Sequence, residues 1–179
     1  MKLQEPDNLH DGRVVRQSHP RSCGAAALAT LLRANLGRSE TESDLLRRLG
    51  TRGAVDMNSL RRCAESLGLR AHGYALDPEN LQRVGRPAIL HLQGSDQVGH
   101  FVVLRGMGGG SVRLADPARG DRLLVMPHFQ ALWLSRQAKG EGRALYVDAR
   151  DSSWLPLTSA EDLPGPPPGA PLLDWFPPV

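Results

Sequence analysis

Hydrophobic positions fall into two regimes along the chain, helical spacing first and short apolar runs afterwards. Ala25, Ala26, Ala27, Leu28, Ala29, Leu31 and Leu32 follow Cys23 in a strongly helix-forming run, with Ser22 placed to cap it and Gly37 to stop it. The run from Ser39 to Ser43 supplies capping residues for a short helix, Asp44 to Leu49, closed by Gly50. Met57, Leu60, Ala64 and Leu67 then recur at helical spacing after Asp56, a natural N-cap, and Gly68 ends that helix. Asp77 before Pro78 opens one more short helix, because proline is tolerated at the first helical position.

A first strand pattern precedes the Asp77 helix, and from Pro87 the pattern changes to strands. Leu69–Ala75 alternates, and Ala88–Leu92, Phe101–Arg105, Val112–Ala115, Leu123–Met126 and Ala144–Val147 are short apolar runs bounded by turn residues. A helix around Pro127–Leu134 interrupts them, and Arg13–Arg16 reads as a short leading strand. Helices first and strands afterwards predict an α+β fold in which N-terminal helices pack on an antiparallel sheet. The expected organisation is a polar arm over residues 1–12, one domain over 13–150 and a Pro-rich tail over 151–179. That tail cannot enter the middle of a sheet; Trp154, Trp175 and Phe176 are expected to pack back on the body, with a docking segment as the alternative.

Composition narrows the function classes. A chain of 179 residues is long enough for one real core, and with only 4% aromatic residues that core must be built from Leu, Val and Ala. The pI is about 9.3, yet the net charge is only +3, and the arginines are interleaved with acidic residues. No basic run resembles a nucleic-acid or membrane patch, and no apolar run reaches the length of a membrane span. The chain reads as soluble, cytoplasmic as it stands and periplasmic if a leader precedes this numbering. Structural zinc would need clustered ligands that the sequence lacks, so no metal or cofactor is expected. Cys23 and Cys63 form no CxxC, and Cys63 sits within a helix pattern, where packing is its expected role.

Cys23 stands where a turn-rich loop becomes a helix. There a thiol feels the positive end of the helix dipole and unpaired N–H groups, which favour the nucleophilic thiolate. Gly24 would let a substrate backbone approach the sulfur, and Gln17, on the same loop, is a neutral donor suited to an oxyanion hole. Taken alone, a cysteine at the start of an Ala-rich helix is more often a small buried residue. The rest of the chain must therefore supply a base.

Gly99-His100 through Asp116-Pro117 supplies one. The glycine-rich stretch Gly106–Gly110 is followed by a strand and not a helix, so it reads as a hairpin turn and not as a phosphate loop. A loop centred on Gly108 sets Leu104 opposite Val112 and His100 opposite Asp116, with Cβ atoms about 4.5–5.5 Å apart. A carboxylate so placed fixes a histidine tautomer and supports its imidazolium form. His10, His19, His72, His91 and His128 have no acidic partner placed in this way, and His91, within a strand, reads as structural. Gln17, Cys23, His100 and Asp116 together supply a donor, a nucleophile, a base and an orienter.

These residues resemble the C39 peptidases, the papain-like cysteine peptidases that process bacteriocins or cut after double glycine. The likeness is carried by Gln17-x5-Cys23-Gly24-x-Ala26-x-Leu28, by Gly99-His100-Phe101-Val102-Val103-Leu104 and by Leu114-Ala115-Asp116-Pro117-x-x-Gly120, with support from Met57 to Leu69. It spans about residues 13–135. The resemblance implies a papain-like fold in which Cys23 attacks a peptide carbonyl and His100 is the general base. It makes Asp116 the orienter, and Gln17 with the Cys23 N–H the oxyanion hole. It also implies a leader, propeptide or secretion substrate, often cut after Gly-Gly. Many members are N-terminal parts of ABC exporters, and stand-alone members work beside secretion or amyloid-export systems. One departure is Ser22, where exporter-linked enzymes commonly carry Asp. Two alternatives stay open from the sequence: a non-catalytic peptide-binding module of a secretion system on the same fold, and acyl transfer in place of hydrolysis. Oligomeric state is not legible.

Overall fold

The computed structural model describes residues 14–51, 54–93, 99–134 and 140–152. The N-terminal arm, Arg13 and the Pro-rich tail from residue 153 onward, with its aromatic residues, lie outside the described residues.

Three helices come first. Helix α1, Cys23–Leu36, is buried at every position from Cys23 to Leu32, and its run of alanines lets the backbone lie close to the sheet. Leu28 is wholly buried, which contributes about 1.5–3 kcal/mol of stabilisation. Gly37 ends the helix in the left-handed conformation, its N–H donating to Leu32 O. Helix α2, Glu42–Leu49, begins two residues earlier than the sequence predicts. Thr41 is its N-cap, and the Thr41 hydroxyl accepts from the Asp44 N–H while the Asp44 carboxylate accepts from the Thr41 N–H. A reciprocal box of this kind places Asp44 in the first turn and not at its edge. Helix α3, Met57–Ser66, is capped by Asp56, which accepts from the Ser59 N–H at 2.6 Å.

The remaining elements are β1 (Arg70–Leu76), α4 (Pro78–Val84), β2 (Ala88–Leu92), β3 (His100–Gly108), β4 (Ser111–Asp116), β5 (Gly120–Val125), α5 (Met126–Trp133) and β6 (Gly142–Asp148). The strands form one sheet in the order β1-β6-β2-β3-β4-β5, every neighbouring pair antiparallel. Successive side chains on a strand face opposite ways, and here both faces are covered. Ile89, Phe101, Val103, Ala115, Leu145 and Val147 join the core under α1, α2 and α3. Leu90, Val102, Leu104, Leu114 and Tyr146 join a second core with Leu81 of α4 and Phe129 and Trp133 of α5. This is the expected α+β arrangement with a third layer added by α4 and α5.

Besides shifted ends such as those of α2 and β5, two larger details differ from the sequence expectation. Val14–Arg16 is not a strand. Its backbone is held instead by Thr30 of α1, whose hydroxyl accepts the Val15 N–H at 2.9 Å, while the Arg16 side chain donates to Ala118 O at 2.6 Å. The second difference is the hairpin. Gly109 and Gly110, with φ of 57° and 75°, form a two-residue turn in place of the 106–110 loop. Consecutive left-handed residues match the twist of the flanking strands, so β3 and β4 run up to the turn.

A bulge then interrupts the ladder. Gly108 pairs with Ser111, Met107 with Val112 and Gly106 with Arg113, but beyond them Leu104 pairs with Leu114 and Val103 with Ala115. Arg105 is the extra residue. Without it, Asp116 would stand opposite Val103, on the face turned away from His100. The bulge shifts the phase by one residue and brings Asp116 into line with Val102, on the same face as His100.

Candidate active site

Cys23 is the first residue of α1 and is 8% exposed. The preceding loop is closed by Ser22, whose hydroxyl donates to His19 O at 2.8 Å and accepts from the His19 N–H at 3.2 Å. Ser22 therefore holds the N-cap position without capping the helix through its side chain, contrary to expectation. Of the first-turn N–H groups, that of Gly24 bonds the sulfur. Burial pushes the Cys23 thiol up, but hydrogen bonds with His100 and the Phe101 N–H, the His100 charge and the Gly24 N–H outweigh it, and the net shift is downward.

Gly24 has a different reason from the one inferred from sequence. A Cβ there would lie 2.6 Å from Val55 Cγ2 and 3.3 Å from the Phe101 ring. The glycine lets α1 seat against the protein's own core, with no substrate needed to explain it.

His100 opens β3, and its Nε2 lies 2.7 Å from Asp116 Oδ1. Burial lowers its proton affinity, but Asp116 and Cys23 win by hydrogen bond and charge, raising it to about 9. Asp116 is wholly buried. Desolvation alone would raise its carboxyl, yet His100, the Ala118 N–H and Arg122 hold it down at about 2. With Nε2 committed to Asp116, Nδ1 is the ring nitrogen that remains for the sulfur. The pairing differs from the one the sequence predicts, in which His100 and Asp116 are directly opposed. They are offset by two residues, and because the offset is even the pair shares a face and meets diagonally.

Gln17 is brought to the same place by hydrogen bonds that the sequence does not reveal. Its N–H donates to Pro117 O at 3.0 Å, fastening its loop to the turn that follows Asp116. Its side-chain Nε2 donates to His19 O at 3.0 Å. The next residue, Ser18, donates its N–H to both oxygens of buried Glu42 at 2.9 and 3.2 Å. Glu42 was legible in the sequence only as one of several capping residues. A cavity of about 570 Å³ borders this loop, with Ser18, His19, Leu46, Arg47 and Thr51 in its walls.

His91 is the other histidine of consequence. A Cβ at Gly99 would lie 1.8 Å from His91 Nε2, so the ring occupies the space a side chain at 99 would need. The same ring packs on Phe101, with centroids 4.9 Å apart. Burial and then the charges of Arg143 and His100 hold His91 below the ordinary imidazole range. Cys63, by contrast, is a free thiol buried in α3 and raised by desolvation, as a packing residue should be. No group of metal-ligating side chains occurs among the described residues.

The arrangement is a helix-terminal thiol, an imidazole and a buried carboxylate in sequence, with an amide-bearing loop fastened beside them. The model of the peptidase C39 family matches residues 11–137. The chain belongs to the peptidase C39 family. Among curated relatives, the probable functional amyloid protease FapD of Pseudomonas aeruginosa is 33% identical over 129 residues, covering 67% of this chain and 56% of that protein. The match thus spans little more than half of that relative. The Escherichia coli microcin-H47 secretion/processing ATP-binding protein MchF is 34% identical over 113 residues, 62% of this chain and 15% of that protein. Among solved structures, a double glycine motif protease from an AMS/PCAT transporter, in complex with the leader peptide, superposes with a TM-score of 0.63 at 29% identity. The overlap covers 76% of this chain and 90% of that one. The peptidase domain of Streptococcus ComA, at 20% identity and a TM-score of 0.67, shares the fold over 76% of this chain and 97% of its own. The papain-like peptidase fold expected from sequence is the one observed. Among the described residues no helix of this C39 member is long and apolar enough to cross a membrane.

Proposed function

We propose that this C39 peptidase is a cysteine peptidase that cuts an extended peptide, with Cys23, His100, Asp116 and Gln17 as its working residues. The observation that carries the reading is the linked chain of Cys23, His100 and Asp116, with the thiol lowered and the imidazole raised by their mutual contact.

The Cys23 thiolate attacks the scissile carbonyl carbon, and the carbonyl π electrons move to oxygen. The second hydrogen of Gln17 Nε2 and the backbone N–H of Cys23 stabilise that oxyanion. His100 then gives its proton to the leaving amine as the C–N bond breaks, leaving a thioester. Water attacks the thioester, His100 takes its proton, and the acid product departs as the thiolate re-forms. Asp116 stays ionised throughout and holds the ring tautomer.

The structural relative bound to a leader peptide supports a leader, propeptide or secretion substrate, with Gly-Gly before the cut as the first sequence to try. The exporter relatives support a partner in peptide export. We read the folding unit as residues 13–150, because β6 fills the sheet between β1 and β2 and extends to Asp148, beyond the end of the family match.

The test is incubation of the protein with a peptide carrying an amphipathic leader and a Gly-Gly cut site, beside Cys23→Ala. Cleavage by the parent alone is the expected result. Cleavage by both would overturn the mechanism, and tight binding by both without cleavage would favour a binding module.

A further inference from the structure

Asp116 has more partners than a histidine and a turn. Its Oδ1 receives both His100 Nε2 at 2.7 Å and the Ala118 N–H at 2.9 Å. Its Oδ2 is met from β5, where Arg122 Nη1 donates at 3.2 Å. We propose that Arg122 is a positioning residue for the His100–Asp116 pair, holding Oδ2 so that Oδ1 stays on the imidazole. The proposal rests on the reading of His100 and Asp116 as a working pair.

The sheet explains why an arginine at this position reaches. Gly120 pairs with Asp116 and Arg122 with Leu114, so Arg122 shares the face of Asp116 and stands one diagonal step away. Glycine opposite the carboxylate keeps that diagonal open. The Arg122 side chain is 21% exposed, whereas Arg119, whose Nη1 lies 3.7 Å from Oδ2, is 66% exposed in the turn. Solvent screens Arg119 far more than Arg122. The residue before Arg122 also touches the device that sets the pair's geometry. Asp121 Oδ1 lies 3.5 Å from Nε of Arg105, the bulged residue of β3. Adjacent side chains of one strand thus bear on the carboxylate and on the bulge that aligns it with His100.

Two consequences follow. A buried carboxylate held through one oxygen can turn about its last torsion and take the imidazole with it, and a second donor on the other oxygen removes that freedom. Arg122 also draws on the negative charge that Asp116 would otherwise direct wholly at His100. The imidazolium then holds its proton less firmly and returns it more readily to a leaving amine. Among the described residues, the charged and titratable groups bearing on His100 are Cys23 from α1, His91 from β2, Asp116 from β4 and, through Asp116, Arg119 and Arg122. Of these, Arg122 is the one half-buried permanent cation.

The test uses the full chain in a Cys63→Ser background, with Arg122→Met and Arg122→Gln as neutral variants and Arg122→Lys as the charged one. The His100 ring is followed by NMR against pH, with Cys23 alkylation by iodoacetamide and a melting curve alongside. Arg122→Gln keeps an N–H for Oδ2, so it stays readable if Arg122→Met fails to fold. The expected result is that the neutral variants raise the His100 midpoint by on the order of one pH unit. Arg122→Lys should stay close to the parent. Neutral variants that titrate His100 as the parent does, with or without a lower melting temperature, would overturn the proposal and leave Arg122 a merely structural arginine. A parent whose His100 titrates at the ordinary 6.5 would sink the pair itself. Failure of the parent to cut any peptide, with the His100 shifts intact, would instead count only against the peptidase reading.

Discussion

His100 Nε2 lies 2.7 Å from Asp116 Oδ1, although the two residues are not partners in the ladder between β3 and β4. They meet across a diagonal because Arg105 is looped out of β3 between Leu104 and Gly106. Diagonal neighbours in a sheet are about 7–8 Å apart at the backbone, within reach of an imidazole and a carboxylate but of few shorter pairs. Small changes near this contact should therefore have large effects on the thiol it serves.

The first concerns the thiol itself. Cys23 is held below its ordinary value of 9.0 chiefly by His100 and the Phe101 N–H, working against burial. Iodoacetamide should alkylate it at pH values where Cys63 is inert, and His100→Ala should move its profile up toward an ordinary thiol. If His100 is the proton donor proposed above, peptide cleavage should also fall as pH rises through about 9, where His100 loses that proton. A cleavage rate flat across that range would contradict the assignment.

The same pair gives stability a pH dependence. The proton affinity of His100 is raised from 6.5 to about 9, so its contribution is complete below 6.5 and is lost as pH rises toward 9. Asp116 is lowered from 3.8 to about 2, so its contribution is present above 3.8 and is lost as pH falls through about 2. Urea unfolding of the parent at pH 5, 7 and 10 should show the alkaline loss, and Asp116→Asn should flatten it.

Gly99→Ala should cost the protein its reactive pair. The new Cβ would meet His91 Nε2 at 1.8 Å, and either the ring or the strand carrying His100 must move. A displacement of about 1 Å at a reacting group costs about 100-fold in rate. Adding His91→Ala frees the space, so the double variant should recover part of the cleavage rate. No recovery would mean that Gly99 is needed for another reason.

Glu42→Ala should loosen the Gln17 loop without changing the thiol. Among the described residues, Glu42 accepts the Ser18 N–H beside Gln17 and makes no hydrogen bond with Cys23 or His100. Its loss should slow cleavage by on the order of 10- to 100-fold, within the range for losing an oxyanion donor. The alkylation profile of Cys23 should stay where it was, and a change there would place Glu42 in the thiol's own environment.

Local chemistry was legible from the residues. The Ala-rich run after Cys23, Asp56 and Asp77 as caps, Pro78 at a helix start and Gly37, Gly50 and Gly68 as stops all rest on contacts within a few positions, and each appears as expected. Alternation at β1 and short apolar runs at β2 to β6 likewise marked the strands, but Val14–Arg16, read as a strand too, is not one. The shared face of His100 and Asp116 was also read from the sequence, but the Gly109–Gly110 turn by itself would put them on opposite faces, and it is the Arg105 bulge that restores the parity.

Tertiary structure decided what local rules leave free. A bulge adds one residue without any mark in the sequence, so the glycine run allowed several registers, and only packing of Met107, Leu104 and Val102 into one core selects among them. Val14–Arg16 has the composition of a strand but finds its hydrogen bonds on Thr30 and Ala118 instead. Gly24 reads from sequence as room for a substrate and Gly99 only as part of a motif, until Val55, Phe101 and His91 are seen where their side chains would be. Glu42 lies 24 residues from Ser18, whose N–H it accepts, and Arg122 reaches Asp116 only once β4 and β5 have paired. The chain by itself determined which groups could do the chemistry. Long-range packing set the distances and charges under which they would do it.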